Sequence, residues 1–144
     1  KHYLAIQDDP ATDKRLKSVS SRRRIPLHPE LIRLGFLDYV RQQADLGHAR
    51  LFPLLTRTGG RQLTSSWSHW FCRYLRNEVG ISDRRKVFHS FRHGFKEACR
   101  VSGIPKEIHD QLTGHASRDV GDGYGGERFP LSPLVVAIER LRYE

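Results

Sequence analysis

The sequence has no methionine and only 2 cysteines, and its acidic residues are far outnumbered by basic ones. Cys72 and Cys99 are too few for a disulfide framework, so a reducing compartment is the expected environment. No apolar run approaches the roughly 20 residues of a membrane-spanning helix, and no signal peptide opens the chain. These two features predict a cytoplasmic protein with no membrane partner. Because the chain begins at Lys1 without a methionine, we also expect a piece of a longer protein.

The charge balance favours a polyanionic partner. The 144 residues carry 25 Lys and Arg against 16 Asp and Glu, a formal net charge of +9. A hydrophobic content of 38% is enough to build a core, which excludes an intrinsically disordered chain. Since no long basic amphipathic segment typical of a membrane-surface helix is present, nucleic acid is favoured over an anionic membrane.

The pattern of apolar residues and breakers predicts an α+β fold that is mostly α-helical, with a small N-terminal β-hairpin, as one domain over 1–144. The hairpin would pair residues 3–6 with residues 24–27 around a basic loop from Lys14 to Arg23. Helical spacing and glycine or proline stops then predict five helices: Pro29 to about Gly47, Thr64 or Ser65 to about Gly80, His89 to before Gly103, Pro105 to Leu112, and Ser132 to Arg142. The first helix is expected to bury an apolar face that carries Leu31, Leu34, Leu37, Val40 and Ala44. The second is expected to bury Trp67, Trp70 or Phe71, and Tyr74, with Leu75 as a further candidate.

The third predicted helix has two unlike faces. One face is basic and carries His89, Arg92, His93, Lys96 and Arg100. The opposite face carries Phe88, Phe91, Phe95 and Ala98 and is expected to be buried. A basic face that starts at a helix N-terminus is suited to phosphate, because free N–H groups and the helix dipole also favour anions there. A merely solvated charged face is the alternative.

A metal site is the competing hypothesis for the same histidines. His89 and His93 have the i, i+4 spacing of a zinc helix, and Cys99, His109 and His115 follow. The zinc-hydrolase pattern, however, needs a glutamate where this chain has Ser90. No clustered carboxylates suggest a magnesium site either. Phosphoryl chemistry would therefore need cationic side chains and a side-chain nucleophile, with no cofactor.

Four elements in order resemble the catalytic domain of the tyrosine recombinases, in particular the phage-type integrases. His89-Ser-Phe-Arg92 matches the His-x-x-Arg motif, Gly-His115 follows 26 residues after His89, and Tyr124 lies 9 residues beyond His115. Lys17, 72 residues before His89 in the hairpin loop, stands where the family has its catalytic lysine. The resemblance covers nearly the whole chain and implies site-specific DNA recombination or integration by DNA breaking and rejoining.

The resemblance also implies a role for each residue. Tyr124 would attack a DNA phosphodiester and form a 3′-phosphotyrosine. Arg92 would grip two phosphate oxygens, and His89 and His115 would donate hydrogen bonds to the same phosphate, with His89 as a possible acceptor of the tyrosine proton. Lys17 would protonate the leaving 5′-oxygen. Further DNA contacts are expected from Arg22, Arg84, Arg85 and Lys86.

One departure from the family affects the expected activity. The family uses two arginines on the phosphate, and the first would fall before Lys1. We therefore expect these 144 residues alone to bind double-stranded DNA weakly and to cleave it barely, since one transition-state donor is worth about 10²–10³ in rate. The full-length protein would assemble as a tetramer on DNA, in a bacterial or phage setting near the nucleoid. The last helix would pack on its own chain or on a neighbour.

Two alternatives remain open at the level of sequence. A type IB topoisomerase-like relaxer would use the same chemistry but religate the original strand. A non-catalytic helical DNA-binding module would use the basic face only to hold phosphates. Tyr124 separates the enzymes from the binding module, because only an enzyme requires its hydroxyl.

Overall fold

The computed structural model describes residues 1–9, 16, 21–55, 64–115 and 129–143. These residues form one two-stranded antiparallel sheet and six helices, which confirms the predicted α+β, mostly helical fold. The elements are β1 (Tyr3–Ile6), β2 (Arg23–Pro26), α1 (Pro29–Arg33), α2 (Phe36–Asp45), α3 (Ser65–Asn77), α4 (Ser90–Val101), α5 (Lys106–Thr113) and α6 (Leu131–Arg140). Within these described ranges, no helix combines the length and the apolar character needed to cross a membrane.

The chain divides into two compact units. The first unit contains residues 1–34 and 96–144, and the second contains residues 35–95. The first boundary coincides with the glycine between α1 and α2, and the second falls within α4, between Phe95 and Lys96. Each unit is described by itself below.

The first unit is built on the predicted hairpin. Its strands pair from Tyr3 with Pro26 to Ile6 with Arg23, so the return strand begins one residue earlier than predicted. Helices α5 and α6 pack on β2 and on each other. The core is formed by small and aliphatic side chains on these elements and on the end of α4: Leu27, Ala98, Cys99, Leu112, Leu134, Ile138 and Leu141.

The last helix packs on its own chain. Leu134 and Ile138 are buried within the first unit. Ser102, just after α4, holds the end of α6 by two hydrogen bonds: its carbonyl accepts from Arg140 Nη2 (3.2 Å) and its hydroxyl accepts from the backbone N–H of Arg142 (3.1 Å). The C-terminal helix is therefore part of the core of the first unit.

The helix predicted from Pro29 to Gly47 is wrong as a single element. Gly35 has a φ of +83°, a left-handed conformation that ends α1, and α2 starts at the next residue. Because the helical spacing was counted across this break, the predicted buried stripe does not form. Neither α1 nor α2 contains a buried residue, and Leu34 is strongly exposed.

The aromatic face predicted to be buried is also only partly so. In α3 the buried residues are Phe71 and Leu75, whereas Trp70 and Tyr74 are exposed. Phe91 of α4 is 64% exposed, and the predicted phenylalanine stripe is wrong at this end of the helix. The rings instead cover one another: Trp70 stacks on Tyr74 with centroids 5.3 Å apart, and Phe71 meets Phe91 at 5.8 Å. Stacking removes part of each ring surface from water, and the rest of the ring stays exposed.

The packing of α6 predicts a contrast between two aliphatic residues on the same helix. Leu134 is 2% exposed and Val136 is 49% exposed. Leu134→Ala should lower the free energy of unfolding by about 2–5 kcal/mol, because it removes buried methyl groups and leaves a cavity. Val136→Ala should change it by no more than about 0.5 kcal/mol. Urea denaturation followed by circular dichroism measures both, and equal effects would contradict the assigned core.

Candidate functional site

The segment before α4 is a tightly hydrogen-bonded turn in the second unit. The Ser90 hydroxyl accepts a hydrogen bond from the Val87 backbone N–H (3.0 Å) and lies 3.4 Å from the Arg85 carbonyl. The Lys86 carbonyl accepts from Arg76 Nη2 of α3 (3.0 Å). Ser90, which stands where a zinc-hydrolase helix has its glutamate, thus fixes the basic segment at the beginning of the helix.

Two of the predicted catalytic residues lie at this helix start. His89 immediately precedes α4, and Arg92 is in its first turn. The ring of His89 also meets that of His93, with centroids 5.7 Å apart. His89 and His93 are exposed, and Arg92 is half-buried. An imidazole and a guanidinium at the N-terminal end of a 12-residue helix are well suited to an anion.

The predicted DNA contacts differ in their surroundings. Arg84 and Lys86 are exposed. Arg85 instead forms a two-point ion pair, with Nε and Nη2 each 3.1 Å from a carboxylate oxygen of Asp83. These hydrogen bonds, with one from the Arg85 backbone N–H (2.9 Å), hold the pKa of Asp83 below its usual value. Arg22, in the first unit, has Nη2 3.4 Å from Oδ2 of Asp8.

The turn that carries His115 follows α5 in the first unit. The carbonyl of Asp110 accepts hydrogen bonds from the backbone N–H groups of both Gly114 (2.8 Å) and His115 (3.0 Å). Gly114 has a φ of +71° and ends the helix. Arg23 of β2 lies against this turn and donates from Nε to the Leu112 carbonyl (3.3 Å). The hairpin strand and the His115 turn are therefore joined directly.

Two histidines and a lysine surround the side chain of Asp110. His109 Nδ1 lies 3.0 Å from Asp110 Oδ1, and His115 Nδ1 lies 3.9 Å from the same oxygen. Lys106 contacts the other carboxylate oxygen, and Thr113 Oγ1 lies 2.6 Å from His115 Nδ1. Burial opposes ionisation of Asp110, but hydrogen bonds from Lys106 and His109 outweigh it and lower its pKa. The carboxylate is thus ionised at neutral pH.

Among the described residues, His109, Asp110 and His115 form the group best placed to hold a metal ion. Their possible ligand atoms all lie within 4.8 Å of one another. A tetrahedral zinc ion would need nitrogen and oxygen ligands about 3.2–3.6 Å apart. Yet the nearest atoms are already engaged in hydrogen bonds, and Lys106 brings a competing positive charge to the carboxylate. We interpret the group as a hydrogen-bonded cluster.

The structure describes three of the five predicted catalytic residues. His89 and Arg92 lie together at the start of α4 in the second unit, and His115 lies in the turn after α5 in the first unit. Lys17 and Tyr124 lie outside the described residues, so their assigned roles stay predictions.

Several residues around these sites were missed at the level of sequence. Asp110 and Thr113 contact His115 through the i−5 and i−2 spacings that a helix end and turn create. A polar residue at the end of a helix just before Gly-His is the signal that would have pointed to Thr113. Arg23 was counted as part of the basic loop, and only the strand register shows that it reaches α5.

Comparisons with protein-family models, curated proteins and solved structures give no match for this chain. The functional assignment therefore depends on the motif residues and on the chemistry of their surroundings.

The close approach of Arg23 to the turn predicts that Gly114 tolerates no side chain. A Cβ on Gly114 would lie 2.6 Å from Arg23 Nη1, whereas a Cβ on Gly103, which also has positive φ, would lie 3.7 Å from Arg140 Nη2. Each alanine should cost about 1–2 kcal/mol for its left-handed backbone. Gly114→Ala should cost about 1–3 kcal/mol more, because the held guanidinium must move. Urea denaturation measures the difference, and equal costs would contradict a firmly held Arg23.

Proposed function

We propose that this chain is a catalytic domain of a tyrosine-type site-specific DNA recombinase. It would break and rejoin double-stranded DNA without a cofactor, through a 3′-phosphotyrosine at Tyr124. The observation that carries the proposal is the pairing of His89 and Arg92 at the N-terminal start of α4, directly after a basic segment, in a chain where Gly-His115 and Tyr124 follow at the family spacing.

The surroundings of α4 support a phosphate as the ligand. An arginine fork and an imidazole at the positive end of the helix dipole both favour an anionic oxygen cluster. Arg84 and Lys86 add exposed positive charge next to it. Each phosphate that such residues neutralise contributes about −0.9 to the slope of log affinity against log salt, without sequence preference.

The residue types suit transesterification at phosphorus. In the proposed reaction the phenol oxygen of Tyr124 forms a bond to phosphorus as its proton passes to a histidine of the proposed site, and the 5′-oxygen departs and takes a proton from Lys17. Arg92 would stabilise the charge that builds on the non-bridging oxygens. The energy of the broken ester is kept in the phosphotyrosine, so rejoining needs no nucleotide. A partner strand would attack this intermediate in a tetramer assembled on two duplexes.

A covalent-trapping experiment tests the proposal. The chain is incubated for hours with a 5′-labelled duplex pool of randomised sequence that carries nicks, so that the short 5′-hydroxyl fragment is lost after cleavage. Even a slow reaction then accumulates an adduct, because reversal is blocked. We expect a protein-linked labelled strand on a denaturing gel, its absence with Tyr124→Phe, and a decrease of about 10²–10³ in rate with Arg92→Ala.

The outcomes separate the rival functions. Tyr143, near the C-terminus, gives a matched control, since Tyr143→Phe removes a phenol outside the motif and should leave the adduct unchanged. DNA binding without any adduct would favour the non-catalytic module. An adduct that religates only its own strand when an unrelated 5′-hydroxyl strand is offered would favour the topoisomerase-like relaxer.

The Asp83–Arg85 ion pair predicts a gain of DNA binding on neutralisation. Asp83→Asn removes a negative charge beside the proposed phosphate contacts and weakens its hold on Arg85. Affinity for a duplex should rise several-fold at low salt, and the salt slope should steepen by up to about one phosphate contact. Fluorescence anisotropy across a salt series measures both quantities.

Asp38→Asn is the matched control for this experiment. Asp38 also forms an ion pair at the surface, with Arg41 on α2, in which Nη2 and Oδ1 are 2.8 Å apart. Asp38→Asn changes the net charge by the same amount as Asp83→Asn, but Asp38 lies outside the proposed interface. If both variants gained affinity to the same extent, the effect would be one of overall charge and the assigned role of Arg85 would be wrong.

A further inference from the structure

The hydroxyl of Thr113 has its proton committed to the helix backbone. Its Oγ1 lies 2.9 Å from the carbonyl oxygen of His109, four residues earlier. A carbonyl only accepts hydrogen bonds, and two oxygens approach this closely when a proton lies between them. A threonine at the end of a helix commonly makes this i to i−4 bond. The Thr113 oxygen is therefore left with lone pairs on its other side.

Those lone pairs determine which ring nitrogen of His115 carries the proton. Its Nδ1 lies 2.6 Å from Thr113 Oγ1, a contact that needs a proton between the two atoms. Because the hydroxyl proton points to the His109 carbonyl, the shared proton belongs to Nδ1. The negative carboxylate of Asp110, with Oδ1 3.9 Å from Nδ1, also favours an N–H on that side of the ring.

We propose that Thr113 is a positioning residue that holds the neutral ring of His115 as the Nδ1–H tautomer, so that Nε2 carries the lone pair and His115 acts as a proton acceptor. This inference rests on the proposed function for its catalytic meaning, but the tautomer itself does not. The side chain of His115 is 48% exposed, and Nε2 lies across the ring from Thr113 and Asp110.

The tautomer changes the role expected of His115. A neutral ring with its lone pair at Nε2 cannot donate to a phosphate oxygen from that atom, and it does so only as the imidazolium. It can, however, accept the proton of an attacking hydroxyl at Nε2 while Nδ1–H stays bonded to Thr113. The nearby Asp110 carboxylate and the carbonyl end of α5 both stabilise the positive charge that then forms.

Nitrogen-15 NMR of the imidazole rings tests the proposal on the DNA-free chain. Spectra are recorded about two pH units above the ordinary histidine pKa of ~6.5, where the rings are neutral. The chain has 8 histidines, so a His115→Gln spectrum identifies the His115 signals. We expect Nδ1 of His115 to be the protonated nitrogen. Thr113→Val, which keeps the shape but lacks the hydroxyl, should populate the Nε2–H form, and Thr113→Ser should restore Nδ1–H.

Three outcomes bear on the proposal. A protonated Nε2 in the unmodified chain overturns it without reference to any variant. An unchanged Nδ1–H signal in Thr113→Val also overturns it, because Asp110 would then be the residue that sets the tautomer. The expected pattern supports it whether or not the covalent-trapping experiment yields an adduct, so failure of the recombinase function and failure of the tautomer assignment are read from separate measurements.

Discussion

Asp110 organises the turn after α5 through both its backbone and its side chain. Its carbonyl accepts the N–H groups of Gly114 and His115, which fixes the path of the chain as the helix ends. Its carboxylate, only 13% exposed, is held ionised by Lys106 and by His109. A buried charge persists only when it is paired, so these contacts are what allow the carboxylate to remain beside His115. The orientation of His115 and the seat of Arg23 on the turn both depend on this arrangement.

The sequence predicted the elements of the first unit well because their signals are local. The hairpin alternation, the proline before α5 and the apolar spacing of α6 each act within a few residues. The same counting failed at Gly35, where the chain passes from the first unit to the second, because a left-handed glycine resets the helical phase and Leu34 is exposed. Periodicity reports a common face only while the helix is unbroken.

The candidate site, too, could be predicted only in part, where the signals are local in the sequence. The placement of His89 and Arg92 at the start of a helix could be predicted from the sequence, because the two residues are close in the chain and the helical spacing there is unbroken. The supporting contacts could not be predicted from the sequence. Arg23 and Leu112 are 89 residues apart in the chain, and the Asp83–Arg85 ion pair depends on side-chain conformations. Such an ion pair at the surface is weak in water, but the Asp83 carboxylate still cancels part of the positive charge of Arg85. Basic residues counted from sequence are therefore an upper limit on the charge available to DNA.

The hydroxyl of Thr113 does for His115 what a carboxylate does for the histidine of many hydrolases. In those enzymes an acidic side chain binds Nδ1–H directly and so fixes the tautomer and stabilises the imidazolium. Here the two tasks are separated. Thr113 accepts the Nδ1–H bond at 2.6 Å, while Asp110, already shared with Lys106 and His109, contributes its negative charge from 3.9 Å. A neutral acceptor of this kind specifies which nitrogen is protonated without requiring that the ring be charged, so in the proposed tautomer Nε2 carries the lone pair that can accept a proton during a reaction.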